Sequence, residues 1–193
     1  MKAAAAVFKN RRLHEVTLDE IARHADVGKG TIYLYFTDKE DVIFQSATAG
    51  FDEMCGLLRA IAGEGAPFRE RLMRACDQIV VFFRERRPLF RIILSEGERA
   101  MESGAAALRQ RWRERRRHMT DAVAAVIAEG IAAGEVRNDL PAEILAEYLL
   151  SMLRARSWEL EEWPESQRSH ITVVDLFLNG ARLPAAAAPR TAS

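Results

Sequence analysis

Cysteine is scarce in this chain: its 193 residues hold only Cys55 and Cys76. That excludes a disulfide scaffold and a Cys-rich zinc site, and it fits a reducing, cytoplasmic setting. No run approaches the ~18 uncharged apolar residues that a spanning helix needs, so no membrane partner is expected. The amino terminus lacks a long apolar stretch followed by a small-residue cleavage site, as a secretion signal would carry. Alternating Val/Ile/Thr stretches are missing, and with them the signal for strands. Histidine is sparse and scattered, at His14, His24, His118 and His170. There is no His-Glu-x-x-His pair, nucleophile elbow or Rossmann glycine pattern. No metal, cofactor or catalytic residue is expected, and the chain does not read as an enzyme. Net charge is absent too, with 28 basic residues against 28 acidic. Nucleic-acid binders usually carry a basic excess, so neutrality argues against DNA unless the charge is unevenly spread.

It is unevenly spread. Residues 1–39 hold seven basic residues (Lys2, Lys9, Arg11, Arg12, Arg23, Lys29, Lys39) against five acidic ones (Glu15, Asp19, Glu20, Asp26, Asp38), a net +2. The remainder holds 21 against 23, a net −2. A mildly basic head on a mildly acidic body predicts weak non-specific DNA binding with a shallow salt dependence.

What the sequence does contain is helix-forming residues, with hydrophobic residues at 49 % and apolar positions recurring at a 3.6-residue period. Gly63 to Pro67, Pro88, Gly97, Ser103-Gly104, Gly134 to Pro141, Pro164 and Pro184 punctuate it. The pattern predicts an all-α chain of about nine helices. A three-helix amino-terminal module is expected over 1–45, a larger helical domain over 46–183, and a disordered tail over 184–193.

The stretch Val16 to Tyr35 is the most informative. Thr17-Leu18-Asp19-Glu20 is a capping box that starts a helix at Leu18, with Leu18, Ile21, Ala22 and Ala25 facing inward. Asp26-Val27-Gly28 is a tight turn in which Asp26 can tolerate a left-handed backbone. A second short helix, from about Lys29 to Phe36, buries Ile32 and Phe36. Two short helices on such a turn form a helix-turn-helix, or else an ordinary helical hairpin. The second helix points Gly30 and Leu34 outward, flanked by Thr31 and Tyr33, with Lys29 in its first turn and no acid on the arc. That composition suits a major groove: lysine donates to guanine, and Leu or a Thr methyl touches the thymine methyl. Tyr and Thr hydroxyls reach phosphates, and Lys39 can clamp the backbone from the side. Gly28-Lys29-Gly30-Thr31 is not a phosphate-binding loop, since the upstream glycine and the preceding strand are missing.

At these residues the sequence resembles the TetR family of tetracycline-repressor-like regulators. The resemblance rests on Thr17-Leu18-Asp19-Glu20-Ile21-Ala22, on Ala25 through Phe36, and on Asp38-Lys39-Glu40, and it covers about the first 45 residues. It implies that Thr17 and Lys39 anchor phosphates. It also implies that Lys29, Gly30, Thr31 and Tyr33 approach the groove and that Tyr35 lies near the backbone. The chain departs from the family at Arg12 and Asp26, where glycine is usual, and at Gly28, where serine or a similar residue is usual. The family usually begins earlier, with a basic arm before the first helix; either this protein is without that arm or its chain natively starts before Met1.

The helix carrying Val42, Ile43, Phe44 and Phe51 is expected to be the family's connector, leading out of the amino-terminal module. Beyond it the family encloses a ligand. Phe83, Phe90, Met101, Trp112, Arg115, Met119 and Tyr148 are candidates to line such a cavity, around an apolar or aromatic effector; the same stripes also read as plain core. Arg109 to Arg117 holds six arginines and one glutamate, and reads as a solvated face paired with acids elsewhere. The last two long helices are apolar over wide arcs, which more than one neighbour must cover. Leu145, Leu149, Met152, Ile171, Val174 and Leu178 are the candidate dimer interface, as in the family's four-helix bundle about a two-fold axis. The resulting expectation is a homodimeric repressor on a near-palindromic operator, released by a small molecule. Alternatives are a helical protein-binding adaptor, or an enzyme using a cavity carboxylate.

Overall fold

The computed structural model describes residues 6–8, 15–91 and 106–181, and at 106–108 and 181 the backbone alone. Met101, Arg12 and the expected tail lie outside the described residues. Among the described residues eight helices run in the order α1 (Leu18–His24), α2 (Lys29–Tyr35), α3 (Lys39–Thr48), α4 (Phe51–Ala62), α5 (Phe68–Glu85), α6 (Ala106–Ala132), α7 (Ala142–Trp158) and α8 (His170–Ala181). Helical turns also occur at 6–8 and 87–91, and no strand occurs among the described residues. The fold is all-α, as the composition predicts.

The chain forms two compact units. One is drawn from Met1–Asp52 and Phe82–Arg111, the other from Glu53–Val81 and Trp112–Ser193. In the first, Val16, Ile21, Ala22, Ile32, Val42, Ile43, Phe44 and Ala47 are buried. The expected continuous connector is broken: Gly50 has φ 73°, so α3 stops at Thr48 and a new helix begins at Phe51. Only glycine enters that conformation freely. The carbonyl of Ala49, freed at the break, accepts from Arg86 Nη2 at 2.9 Å. The Arg86 guanidinium also lies 4.0 Å from the centroid of the Phe82 ring.

In the second unit, Leu58, Leu72, Cys76, Val126, Ile127, Leu149 and Val174 are all buried. The buried Arg71 donates to the Ala62 carbonyl and closes the end of α4. Gly134, at φ 70°, ends α6, and the amides of Glu135 and Val136 return to the Gly130 carbonyl at 2.9 and 3.1 Å. That is a left-handed glycine cap of the Schellman kind. Helices α7 and α8 pack on each other. Glu147 of α7 accepts from both Arg116 and Thr120 of α6, each at 2.6 Å.

Candidate nucleic-acid interface

The interface begins with a well-closed helix. Glu20 N donates to Thr17 Oγ1 at 3.3 Å and Thr17 N donates to Glu20 Oε2 at 3.1 Å, completing the capping box. Leu18, Ile21 and Ala22 are buried, whereas Ala25, expected inward, is exposed because the helix has already ended at His24. Asp26 then takes φ 53°. Its left-handed backbone folds the chain back so that Val27 N reaches the Ala22 carbonyl at 3.1 Å, and α2 starts at Lys29 against α1.

Helix α2 buries Ile32 alone. Phe36, expected in the helix and in the core, is instead its half-buried extended cap. Everything on the outer arc is open to solvent: Leu34 is 83 % exposed, Tyr35 70 % and Tyr33 52 %, with Gly30 and Thr31 beside them. A Cβ on Gly30 would meet nothing within 4 Å. The absence of a side chain there therefore serves no packing inside the protein; it keeps the surface low where another body can approach. Exposed Leu and Tyr side chains clustered on one short helix, with no acid among them, mark a contact surface.

Lys29 is held from the neighbouring helix. Its ammonium lies 2.6 Å from Asp19 Oδ2 of α1 and 6.0 Å from the Tyr33 ring centroid. The hydrogen bond that Lys29 donates to Asp19, more than the charge of Asp19 alone, raises the Lys29 pKa above the usual lysine value. Thr17 is exposed at the start of α1, and Lys39 is half-buried at the start of α3.

Behind the surface, Asp41 ties several segments together. Its Oδ2 accepts from Gln45 Nε2 at 2.9 Å and Thr37 N at 3.4 Å. Its Oδ1 accepts from Arg111 Nη1 at 2.9 Å. Gln45 also reaches the Tyr35 carbonyl at 3.4 Å, and the Arg111 guanidinium lies 3.8 Å from the Phe44 ring centroid. The end of α2, the start of α3 and the first turns of α6 are thus pinned to one carboxylate.

Comparison with known proteins agrees with this geometry. Residues 1–45 match the model for bacterial regulatory proteins of the tetR family, and residues 65–158 match a tetracyclin repressor-like carboxy-terminal domain. The chain belongs to the TetR family. Among curated TetR-like relatives is the uncharacterised regulator YhgD of Bacillus subtilis, 25 % identical over 180 residues and covering 92 % of each chain. The transcriptional repressor BepR of Brucella suis is 29 % identical over 186 residues, covering 94 % of this chain and 84 % of its own. Among solved structures, FadR of Bacillus subtilis in complex with stearoyl-CoA superposes with a TM-score of 0.74 at 21 % identity, covering 94 % of this chain and 97 % of that one. These TetR relatives are regulators of transcription, and the chain is a DNA-binding regulator rather than an enzyme. No helix among the described residues is long and apolar enough to cross a membrane.

The remaining candidates fall as follows. Phe83 and Phe90 lie together in the first unit, ring centroids 4.8 Å apart. Trp112, Arg115 and Met119 belong to the second, where Met119 is buried, Trp112 and Arg115 are half-buried, and Tyr148 is 61 % exposed. Of the residues expected between subunits, Leu145, Leu149 and Val174 are already buried within the single chain, Met152 and Leu178 are half-buried, and Ile171 is exposed. Within the arginine run, Arg111 and Arg116 pair with Asp41 and Glu147. Sequence reasoning missed Asp19 and Asp41 as partners of Lys29 and Arg111. Both acids sit in first helical turns, a place that dipole and capping effects alone account for.

Proposed function

We propose that the chain is a homodimeric TetR-type repressor that lays α2 in the major groove of a near-palindromic operator and releases it on binding an apolar small molecule. The observation that carries the reading is the acid-free outer arc of α2, exposed at Gly30, Thr31, Tyr33 and Leu34. In that pose Lys29 and the methyl-bearing side chains meet base edges, and Thr17, Tyr35 and Lys39 meet phosphates.

The dimer reading is supported by α7. Its inner arc is buried in the chain, but one flank of its outer side, counted at 100° per residue, presents Ile144, Tyr148, Ser151, Met152 and Ala155 without one charge, bordered by Glu143, Glu147 and Arg154. Ile144 is 42 % and Tyr148 61 % exposed, and Ile171 of α8 is 49 % exposed. A second subunit covers this arc, while Leu145, Leu149 and Val174 support it from beneath.

The effector works by shifting a population between operator-competent and incompetent arrangements, so it must bind the two unequally. A long-chain acyl-CoA is the first candidate, because the FadR relative holds stearoyl-CoA. The test is selection of duplexes from a randomised pool by the full chain, followed by gel shift of the winner with and without stearoyl-CoA. Enrichment of a two-fold-symmetric sequence by a dimer is expected. No selective enrichment refutes DNA recognition, and an unchanged shift at saturating stearoyl-CoA refutes that effector.

A further inference from the structure

We infer that Asp19 is a specificity-determining positioning residue: it holds the Lys29 ammonium in one place, so that this cation reads a fixed point of the groove instead of seeking any phosphate. The inference rests on the reading of α2 as the recognition helix.

Lysine carries a compact charge on a long, rotamer-rich stem. At a free helix surface such a cation attracts every phosphate within reach and adds to sequence-independent binding. Lys29 is not free in this way. Its Nζ sits 2.6 Å from Asp19 Oδ2, ten residues earlier and on the other helix of the motif. Asp19 stands in the first turn of α1, and its second oxygen, Oδ1, is shielded from solvent and has no hydrogen-bond partner, so Lys29 is the partner its carboxylate has. That helix is closed by the capping box and anchored by Leu18, Ile21 and Ala22. On that anchored backbone the short aspartate side chain has little reach, so the long lysine stem comes to it. Tyr33, one helical turn further along α2, places its ring centroid 6.0 Å from the same ammonium. The stem thus lies along the helix, between a carboxylate and an aromatic face. The pair keeps two of the three ammonium protons for a partner beyond the protein, while its net charge toward a distant phosphate is close to zero.

Two consequences separate positioning from general electrostatics. Removing the carboxylate charge with Asp19→Asn strengthens binding to any duplex, whatever Lys29 does. Only loss of positioning lowers the ratio of selected to scrambled affinity. The experiment measures both affinities by fluorescence anisotropy. It uses the duplex enriched from a randomised pool by the wild-type chain, and a scrambled duplex of the same length. Asp19→Asn is expected to lower the ratio about tenfold, within what one base-edge contact provides. Asp19→Glu, which keeps the charge, should restore most of it. In a Lys29→Ala background, Asp19→Asn should leave the ratio unchanged, since no cation remains to be placed. Thermal unfolding of each variant checks that α1 is intact. An Asp19→Asn ratio equal to wild type overturns the inference while leaving DNA recognition standing, and so does an equal fall in the Lys29→Ala background. A wild-type chain that enriches nothing removes both.

Discussion

Alanine in place of glycine should have opposite effects at two helical positions of this protein. Gly56 is exposed in α4, and a Cβ there meets nothing within 4 Å. Gly130 is buried near the end of α6, and its Cβ would stand 2.6 Å from two atoms of the Phe68 ring. Both substitutions remove the conformational cost of glycine in a helix, about 0.8–1.0 kcal/mol. Gly56→Ala keeps that gain. Gly130→Ala must also push apart groups about 1 Å closer than the 3.5–4.0 Å of ordinary carbon contact. The Phe68 ring cannot yield into solvent, being only 2 % exposed as the first residue of α5. Overpacking of that kind costs about 1–3 kcal/mol, so a net loss of about 1 kcal/mol remains. The two variants should then differ by roughly 2 kcal/mol, or about 4–8 °C in Tm for a chain of this size, with urea midpoints giving the same order. Phe68→Leu should lose less in the Gly130→Ala background than alone, because the missing ring edge makes room; coupling of this sign is expected between residues in contact. A Gly130→Ala protein as stable as Gly56→Ala would refute the reasoning, as would strictly additive effects of the Gly130 and Phe68 changes.

Three further perturbations test other parts of the molecule. Asp26→Gly should stabilise the chain by about 1 kcal/mol in urea unfolding, since the φ of 53° strains a residue with a Cβ; a loss would mean that the aspartate side chain supports the turn. Gly30→Ala should also raise stability, by up to about 1 kcal/mol, yet weaken binding to the selected duplex in gel shift, because the added methyl stands on the outer arc; tighter binding would show that Gly30 does not approach DNA. The Arg116 and Thr120 hydrogen bonds and the Arg116 charge hold the Glu147 carboxyl below its usual range. This contribution is present above the ordinary glutamate pKa and lost as pH falls through the lowered one. Wild type should therefore exceed Glu147→Gln at pH 6, and the gap should close as pH falls below the ordinary glutamate range, staying below about 1 kcal/mol throughout because both partners are more than a third exposed.

Much of the head was legible because its signals are local. A capping box needs only Thr17 and Glu20, and a turn needs only Asp26 to Gly28; both appear where the spacing puts them. The outer arc of α2 was equally readable, since one short helix with a single buried residue leaves little choice of face. What escaped depends on distance in sequence. Nothing near Arg111 announces Asp41, and nothing near Lys29 singles out Asp19 from Asp26 as its partner. The break after Thr48 was missed because a single glycine inside an apolar pattern can equally be tolerated in a helix. At the carboxy-terminal end the periodicity found the apolar stripes of α7 and α8 but could not say which the chain itself would cover. Leu149 and Val174 turned inward, and Ile144, Tyr148 and Ile171 were left outside.

Thr17 has a consequence for mixed populations of subunits. A hydroxyl has one proton and two lone pairs. Closing α1 uses a lone pair, to receive the Glu20 amide at 3.3 Å, while the proton rests against the Glu20 carboxylate at 3.4 Å. That proton can swing to a phosphate without opening the helix. Serine would preserve both uses. Aspartate caps a helix as well as serine does, but it puts a negative charge where the proposed phosphate contact lies. A Thr17→Asp subunit would therefore fold and assemble while rejecting DNA. In the proposed dimer, each such subunit would also disable its wild-type partner, so one altered gene copy could silence an intact one.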